Sequence, residues 1–222
     1  MNVSSISSDL ASSLTKKTFE RQNRLPLDSR FLWKIERGVV RTLTWSREGI
    51  PTTLGLWGPG DVVGRPLSQT EPYEVECLEP ATAIALPFHL WVHELDAILL
   101  YARRTENLLN IISHPTVYLR LLEFLAWLAQ KFGCEVETGK LIMLRLTHQE
   151  IAETIAASRV TVTRMFGVLE QEGKIIRSDN QLILPHHYST FCGNTYERKI
   201  ALTSPLERIG GNNYEYFSQA RT

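Results

Sequence analysis

Residues 147–169 read T-H-Q-E-I-A-E-T-I-A-A-S-R-V-T-V-T-R-M-F-G-V-L, and this stretch decides the fold. Thr147 and Glu150 stand at the S/T-x-x-E spacing of a capping box, in which hydroxyl and carboxylate each satisfy a helix-terminal N–H that lacks an intrahelical partner. Ile151, Ala152 and Ile155 then supply one apolar face. Ala156-Ala157 is small enough for two helices to meet closely, and Ser158 is a natural second N-cap. From there Val162, Met165 and Leu169 recur at three- and four-residue steps and bury one side of a second helix. Arg159, Val160, Thr163 and Arg164 are left looking outward from its first two turns. Two short helices so joined make a helix-turn-helix, whose second helix enters the DNA major groove with its N-terminal residues against the bases. The competing reading is an ordinary helical hairpin with solvated arginines. The capping box, the small-residue turn and a β-hairpin directly downstream decide against it.

In that hairpin Lys174-Ile175-Ile176-Arg177 and Gln181-Leu182-Ile183-Leu184 flank a polar turn, Ser178-Asp179-Asn180, and Gly173 closes the second helix as its C-cap. The unit is a winged helix-turn-helix. Upstream, Gly133 and Gly139 bracket a loop leading to a strand over Leu141–Leu146, and Val117–Phe132 is a helix carrying Leu121, Leu122, Phe124, Leu125 and Leu128. Leu90, Trp91, Leu95, Ile98, Leu99, Ala102, Leu108, Leu109 and Ile112 fit a long helix broken at His114-Pro115. Within it Ile98, Tyr101, Thr105, Leu108 and Ile112, widened by Ala102 and Leu109, predict a dimer seam of about two heptads. Residues 27–87 read as β structure: short apolar segments such as Phe31–Ile35, Val39–Leu43 and Thr53–Trp57 are punctuated by Gly38, Gly49, Pro51 and Gly58-Pro59-Gly60-Asp61. Short strands at such spacing indicate a sandwich or barrel. The division that results is an N-terminal arm (1–26) read as mobile, an effector-like β domain (27–95), dimerisation and linker helices (96–136), the winged helix-turn-helix (137–186), and a tail (187–222) with scattered aromatics and no sustained period.

Lysine plus arginine and aspartate plus glutamate both total 24, so there is no overall basic bias. Residues 140–185 hold six basic and five acidic side chains, little excess charge for a segment whose phosphate contacts supply affinity. The positives fall on the second helix and the wing, and dimerisation would double that face. Cys77, Cys134 and Cys192 are widely spaced, which argues against a zinc site, an iron–sulfur cluster or a disulfide framework. No apolar run reaches the ~18–20 residues that span a bilayer, and the first residues lack a signal peptide's basic and apolar regions. A cytoplasmic protein is the expectation. His89 and His93 lie four apart with Glu94 adjacent, but no third ligand is identifiable, so no metal or other cofactor is predicted. No Ser/His/Asp or paired-carboxylate arrangement can be assigned, and no enzymatic activity is expected.

The order of β domain, long helix and winged helix-turn-helix, with L-T-H-Q-E-I-A-E-T-I-A-A-S-R-V-T-V-T-R at 146–164, resembles the Crp/Fnr family of bacterial regulators, nearest its cyanobacterial branch of global nitrogen regulators. The resemblance covers about residues 30–185, resting in the β domain on Arg37-Gly38 and Gly58-Pro59-Gly60-Asp61-Val62-Val63-Gly64. It implies an α+β fold with a cyclic-nucleotide-binding-like β-roll or barrel, and a homodimer on a near-palindromic double-stranded site. Arg159 and Arg164 would read bases, guanine being the natural bidentate partner. Val160 stands where the cyclic-AMP branch has glutamate, so a thymine methyl replaces cytosine as its target and a G-T-A…T-A-C-like site is expected. Thr147, Gln149, Ser158 and Thr161 would contact phosphates. RNA polymerase is an implied partner of an activator.

The chain departs from the family at the effector site. Where cyclic-AMP binders have Gly-Glu and Arg-Ser, this chain reads Gly64-Arg65-Pro66-Leu67-Ser68-Gln69-Thr70-Glu71-Pro72-Tyr73. Cyclic AMP, haem and iron–sulfur sensing are therefore not expected, and Arg65 is the one candidate for an anionic effector. Two alternatives stay open: a ligand-independent repressor or architectural factor that uses the β domain as a scaffold, and a cupin-type enzyme with an attached DNA-binding domain, disfavoured by the scarcity of histidine over 27–87.

Overall fold

The computed structural model describes residues 15–178 and 181–186. The wing turn Asp179-Asn180, the first residues of the arm, and the tail with Cys192 lie outside the described residues.

Seven strands build the N-terminal half: β1 Lys16–Phe19, β2 Phe31–Arg37, β3 Val40–Trp45, β4 Pro51–Trp57, β5 Val62–Val63, β6 Glu74–Cys77 and β7 Ala81–Pro87. They form two antiparallel sheets, ordered β1-β7-β2-β5 and β4-β3-β6. Trp33 and Ile35 of β2, Val63 of β5 and Ala83 of β7 share one buried cluster with Val40 of β3, Trp57 of β4 and Val75 of β6. Two half-apolar sheets thus bury their inner faces against each other. Neither closes on itself, so the expected barrel is an open two-sheet roll. Gly38 joins β2 to β3 at φ +76°, and a Cβ there would lie 2.2 Å from the Pro80 carbonyl oxygen; the turn and the close approach both require glycine.

The chain enters this roll earlier than the expected arm boundary at residue 26. Lys16 to Phe19 pair with Ile84 to Ala81, Phe19 packs edge-on to Trp33 at 5.6 Å, and Leu25 is buried.

After β7 a 3-10 segment, Phe88–Glu94, precedes helix α1, Leu95–Ile112. The long helix thus starts later than the apolar pattern from Leu90 suggested, and it ends before Pro115 as expected. Helix α2, Val117–Phe132, begins at Thr116, whose side chain accepts from the Leu119 N–H. The expected loop over 133–139 is instead a hairpin of β8 Gly133–Val136 and β9 Gly139–Ile142, and β9 stops well short of Leu146. Helices α3, His148–Thr154, and α4, Arg159–Gln171, follow, then β10 Ile176–Ser178 and β11 Gln181–Pro185. The second-half sheet is ordered β10-β11-β9-β8.

The two halves share a core. Val39, Leu56 and Leu78 from the roll lie in one buried cluster with Leu121 and Phe124 of α2, Ile151 of α3, Val162 and Leu169 of α4, and Leu184 of β11. Charge joins them as well. Arg41 of β3 is 9% exposed and donates to Glu76 at 2.6 Å and to Glu153 of α3 at 2.7 Å. Asp61 is buried, accepts from the Gly58 N–H and pairs with Arg104 of α1 and with Lys131 of α2 at 3.0 Å. Lys131 lies against the rings of Trp57, Trp127 and Phe132, so its ammonium is desolvated in a cation–π setting.

Candidate nucleic-acid interface

The helix-turn-helix is held at both starts by its own side chains. At α3, the Thr147 hydroxyl accepts from the Glu150 N–H at 3.1 Å and Glu150 Oε2 accepts from the Thr147 N–H at 2.6 Å, completing the capping box. At α4, Ser158 Oγ accepts from the Thr161 N–H at 3.1 Å, and the two hydroxyls lie 2.8 Å apart. Sharing one hydrogen, the Ser158–Thr161 pair retains another hydrogen for an outside oxygen.

The turn works differently from the close helix contact that its two alanines suggested. Ala156 is exposed and adopts φ +52°, a left-handed conformation that costs a non-glycine residue roughly 1–2 kcal/mol. Arg120 of α2 grips the outgoing backbone, donating to the Ala156 carbonyl at 3.0 Å and the Ile155 carbonyl at 3.3 Å, with Nε on the His114 carbonyl. Nothing local in sequence marks Arg120 for this task, because the turn it grips lies 35 and 36 residues away.

Inside α4, Val162, Phe166 and Leu169 are buried and Met165 is only partly so; Phe166 replaces Met165 in the expected inner stripe. The helix ends at Gln171 with Glu172 as its C-cap, and Gly173 follows at φ +67°. There the Gly173 N–H donates to the Glu170 carbonyl and the Lys174 N–H to the Leu169 carbonyl, a Schellman motif with the expected Gly173 in the position just past the C-cap Glu172. Lys174 bonds to the Tyr118 hydroxyl and pairs with Glu172, which fixes the entry to β10. The wing pairs Ile176 with Ile183 and Arg177 with Leu182, and Arg177 lies over the Phe166 ring.

Arg159, Val160, Thr163 and Arg164 are all exposed on the first two turns of α4, with Val160 at 78%. Among the described residues no carboxylate pairs with Arg159 or Arg164. Thr147 and Gln149 are exposed at the start of α3; Gln149 donates to Glu153 at 2.9 Å. His148 was not singled out by sequence. Its ring stacks on Phe166 at 4.8 Å and its Nδ1 lies 2.8 Å from Thr163 Oγ1. Burial, then Arg177 and Arg159, push its pKa down. The arrangement presents a cationic, acid-free helix N-terminus whose dipole adds to its attraction for phosphate.

The remaining candidates lie elsewhere. Arg65 donates to the Thr70 carbonyl at 2.7 Å and pairs with Glu71, so its own loop neutralises it. The seven seam residues divide between two faces of α1. Leu108 is buried, Tyr101 stacks on Trp57 at 4.2 Å, and Ile98 and Ile112 pack against the protein's own core. Ala102, Thr105 and Leu109 are exposed, together with Leu95 and Leu99. His89 and His93 are exposed, while Glu94 is tied to Lys34. Cys134 is exposed; Cys77 is buried, and burial, then Glu76, raises its thiol to about 11. Among the described residues, no helix is long and apolar enough to cross a membrane.

Comparison with known proteins bears on these elements. Residues 119–187 match the model of the Crp-like helix-turn-helix domain. The regulatory protein CysR of Synechococcus elongatus is 42% identical over 167 residues, 74% of this chain and 81% of the relative. The global nitrogen regulator of Synechocystis sp. is 33% identical over 150 residues, 68% of this chain and 62% of that protein. In structure, a CRP-family transcriptional regulator from Thermus thermophilus superposes with a TM-score of 0.66 at 24% identity, covering 80% of this chain and 96% of its own.

Proposed function

The chain belongs to the Crp/Fnr family of DNA-binding transcriptional regulators, and from that premise we propose that it binds a near-palindromic duplex as a homodimer, each α4 entering one of two major grooves about 34 Å apart. The observation that carries this reading is the free, acid-free face of Arg159, Val160, Thr163 and Arg164 on a capped helix start. Arg159 and Arg164 read guanines, Val160 meets a thymine methyl, and Thr147, Gln149, Ser158 and Thr161 set register on phosphates. The roll, α1–α2 and winged helix-turn-helix act as effector-like, dimerisation and DNA-binding parts.

A second copy is the proposed occupant of the outer face of α1. Leu95, Leu99, Ala102 and Leu109 keep a heptad step along it, interrupted at Glu106, and Leu95, Leu99 and Leu109 are each more than half exposed. This stripe, with Thr105 at its flank, replaces the inward-facing Tyr101 and Leu108 of the expected seam.

Selection of sites from random duplexes at physiological salt tests the reading. A palindrome with half-sites one helical turn apart supports it, and no enrichment with or without cell extract would sink it. The Arg65–Glu71 pair favours a second reading, in which the roll is a scaffold and DNA binding needs no ligand. A metabolite that raises the melting temperature would exclude that scaffold reading.

A further inference from the structure

Thr163 stands one turn beyond Arg159 on the exposed face of α4. A threonine there can offer DNA a hydroxyl or a methyl, and its surroundings decide which. Thr163 Oγ1 lies 3.0 Å from the Arg159 carbonyl oxygen, which can only accept, so the hydroxyl hydrogen is committed to it. His148 Nδ1 lies 2.8 Å from the same Oγ1. With that hydrogen already directed at Arg159, Nδ1 must be the donor to Thr163, which fixes the ring's Nδ1–H form. The stack of His148 on the buried Phe166 holds the ring in place for this bond.

Thr163 therefore has no hydrogen to give a phosphate, guanine O6 or N7, or thymine O4, each of which needs a donor. Its oxygen keeps one lone pair, which can accept only from an adenine or cytosine amino group; toward a thymine the methyl is the branch left to it. Val160, three residues earlier and so a neighbour on the same helix face, is an apolar side chain almost fully in solvent.

We propose that Thr163 is a second methyl-reading residue: locked by His148 and the Arg159 carbonyl, it presents its methyl beside Val160 to thymine C5-methyl groups, between the guanine-directed Arg159 and Arg164. His148 is its positioning residue. The target is a duplex whose half-site carries two thymine methyls within reach of one helix turn. This inference rests on α4 being the groove-entering helix.

The test uses the duplex selected with the wild-type protein, remade with each thymine replaced in turn by deoxyuridine. That change removes the methyl and keeps every hydrogen-bonding group. Affinity is read by fluorescence anisotropy at fixed salt. Two positions should each weaken the wild type about fourfold, the worth of one methyl removed from water. Val160→Ala should abolish the effect at one position and Thr163→Ser at the other. His148→Ala should reduce the effect at the Thr163 position alone, which a general loss of stability would not do. If Thr163→Ser keeps the wild-type response at every thymine, the methyl is not the reading group and the inference is wrong. A bound duplex indifferent to its methyls overturns the inference; failure to select any duplex overturns instead the regulator reading beneath it.

Discussion

Arg65 and Arg159 are both arginines that the sequence nominates for a ligand, an anionic effector for the first and a guanine for the second, and they end in opposite circumstances. Arg65 finds Glu71 and the Thr70 carbonyl within its own loop. Arg159 follows an N-cap and precedes a run of uncharged residues; among the described residues it meets no carboxylate, and the helix dipole beneath it is positive. A cation with an acid a few residues downstream on a loop can satisfy itself. One at a rigid helix start keeps its charge for another molecule. Arg41 marks the other extreme, buried between two carboxylates from different parts of the chain.

Substitutions can break or sharpen this contrast. The largest effect is expected at Arg41: Arg41→Ala leaves Glu76 and Glu153 facing each other without their cation, and stability should fall by about 3 kcal/mol in a urea titration. Next, Arg159→Ala should cost roughly 1–3 kcal/mol on the cognate duplex and relax discrimination at one base pair. Equal weakening on specific and random DNA would remove its base-reading role. Ser158→Ala deletes a cap and should lower stability by about 1 kcal/mol, with a further uniform loss of affinity on all sequences. The smallest effect belongs to Arg65→Ala. Because Glu71 is mostly exposed, stability should change by less than about 1 kcal/mol and DNA affinity should not move. A clear loss of affinity there would show that the Arg65 loop communicates with α4 and would erase the contrast.

Legibility followed locality. The helix-turn-helix declares itself because its caps are written within three residues of each helix start, and Gly173 marks its end within one residue. The strand β1 was missed because Lys16-Lys17-Thr18-Phe19 carries one apolar side chain, and its partner β7 is over sixty residues away. The hairpin β8–β9 was hidden by glycines at its start and its turn, and by a β8 with no buried residue. On α1 both faces are apolar: Tyr101, Leu108 and Ile111 interleave with Leu95, Leu99, Ala102 and Leu109, and a one-residue rotation of the stripe exchanges inside for outside. Distant partners select the inner face: Trp57, on which Tyr101 stacks, and the buried cluster that takes in Leu108 and Ile111. Arg120 and His148 act through partners that sequence spacing does not bring together.

The apolar cluster that runs from Val39, Leu56 and Leu78 through α2 into Ile151 and Leu169 governs how the molecule comes apart. Parts joined by a continuous apolar core lose it together, so a calorimeter should record one endotherm instead of a separate event for each half. For the same reason the winged segment, cut free, would carry a raw hydrophobic wound where the roll had covered it. Heat should therefore unfold the described residues as one body, and the winged segment expressed without the roll should be less stable than within the chain.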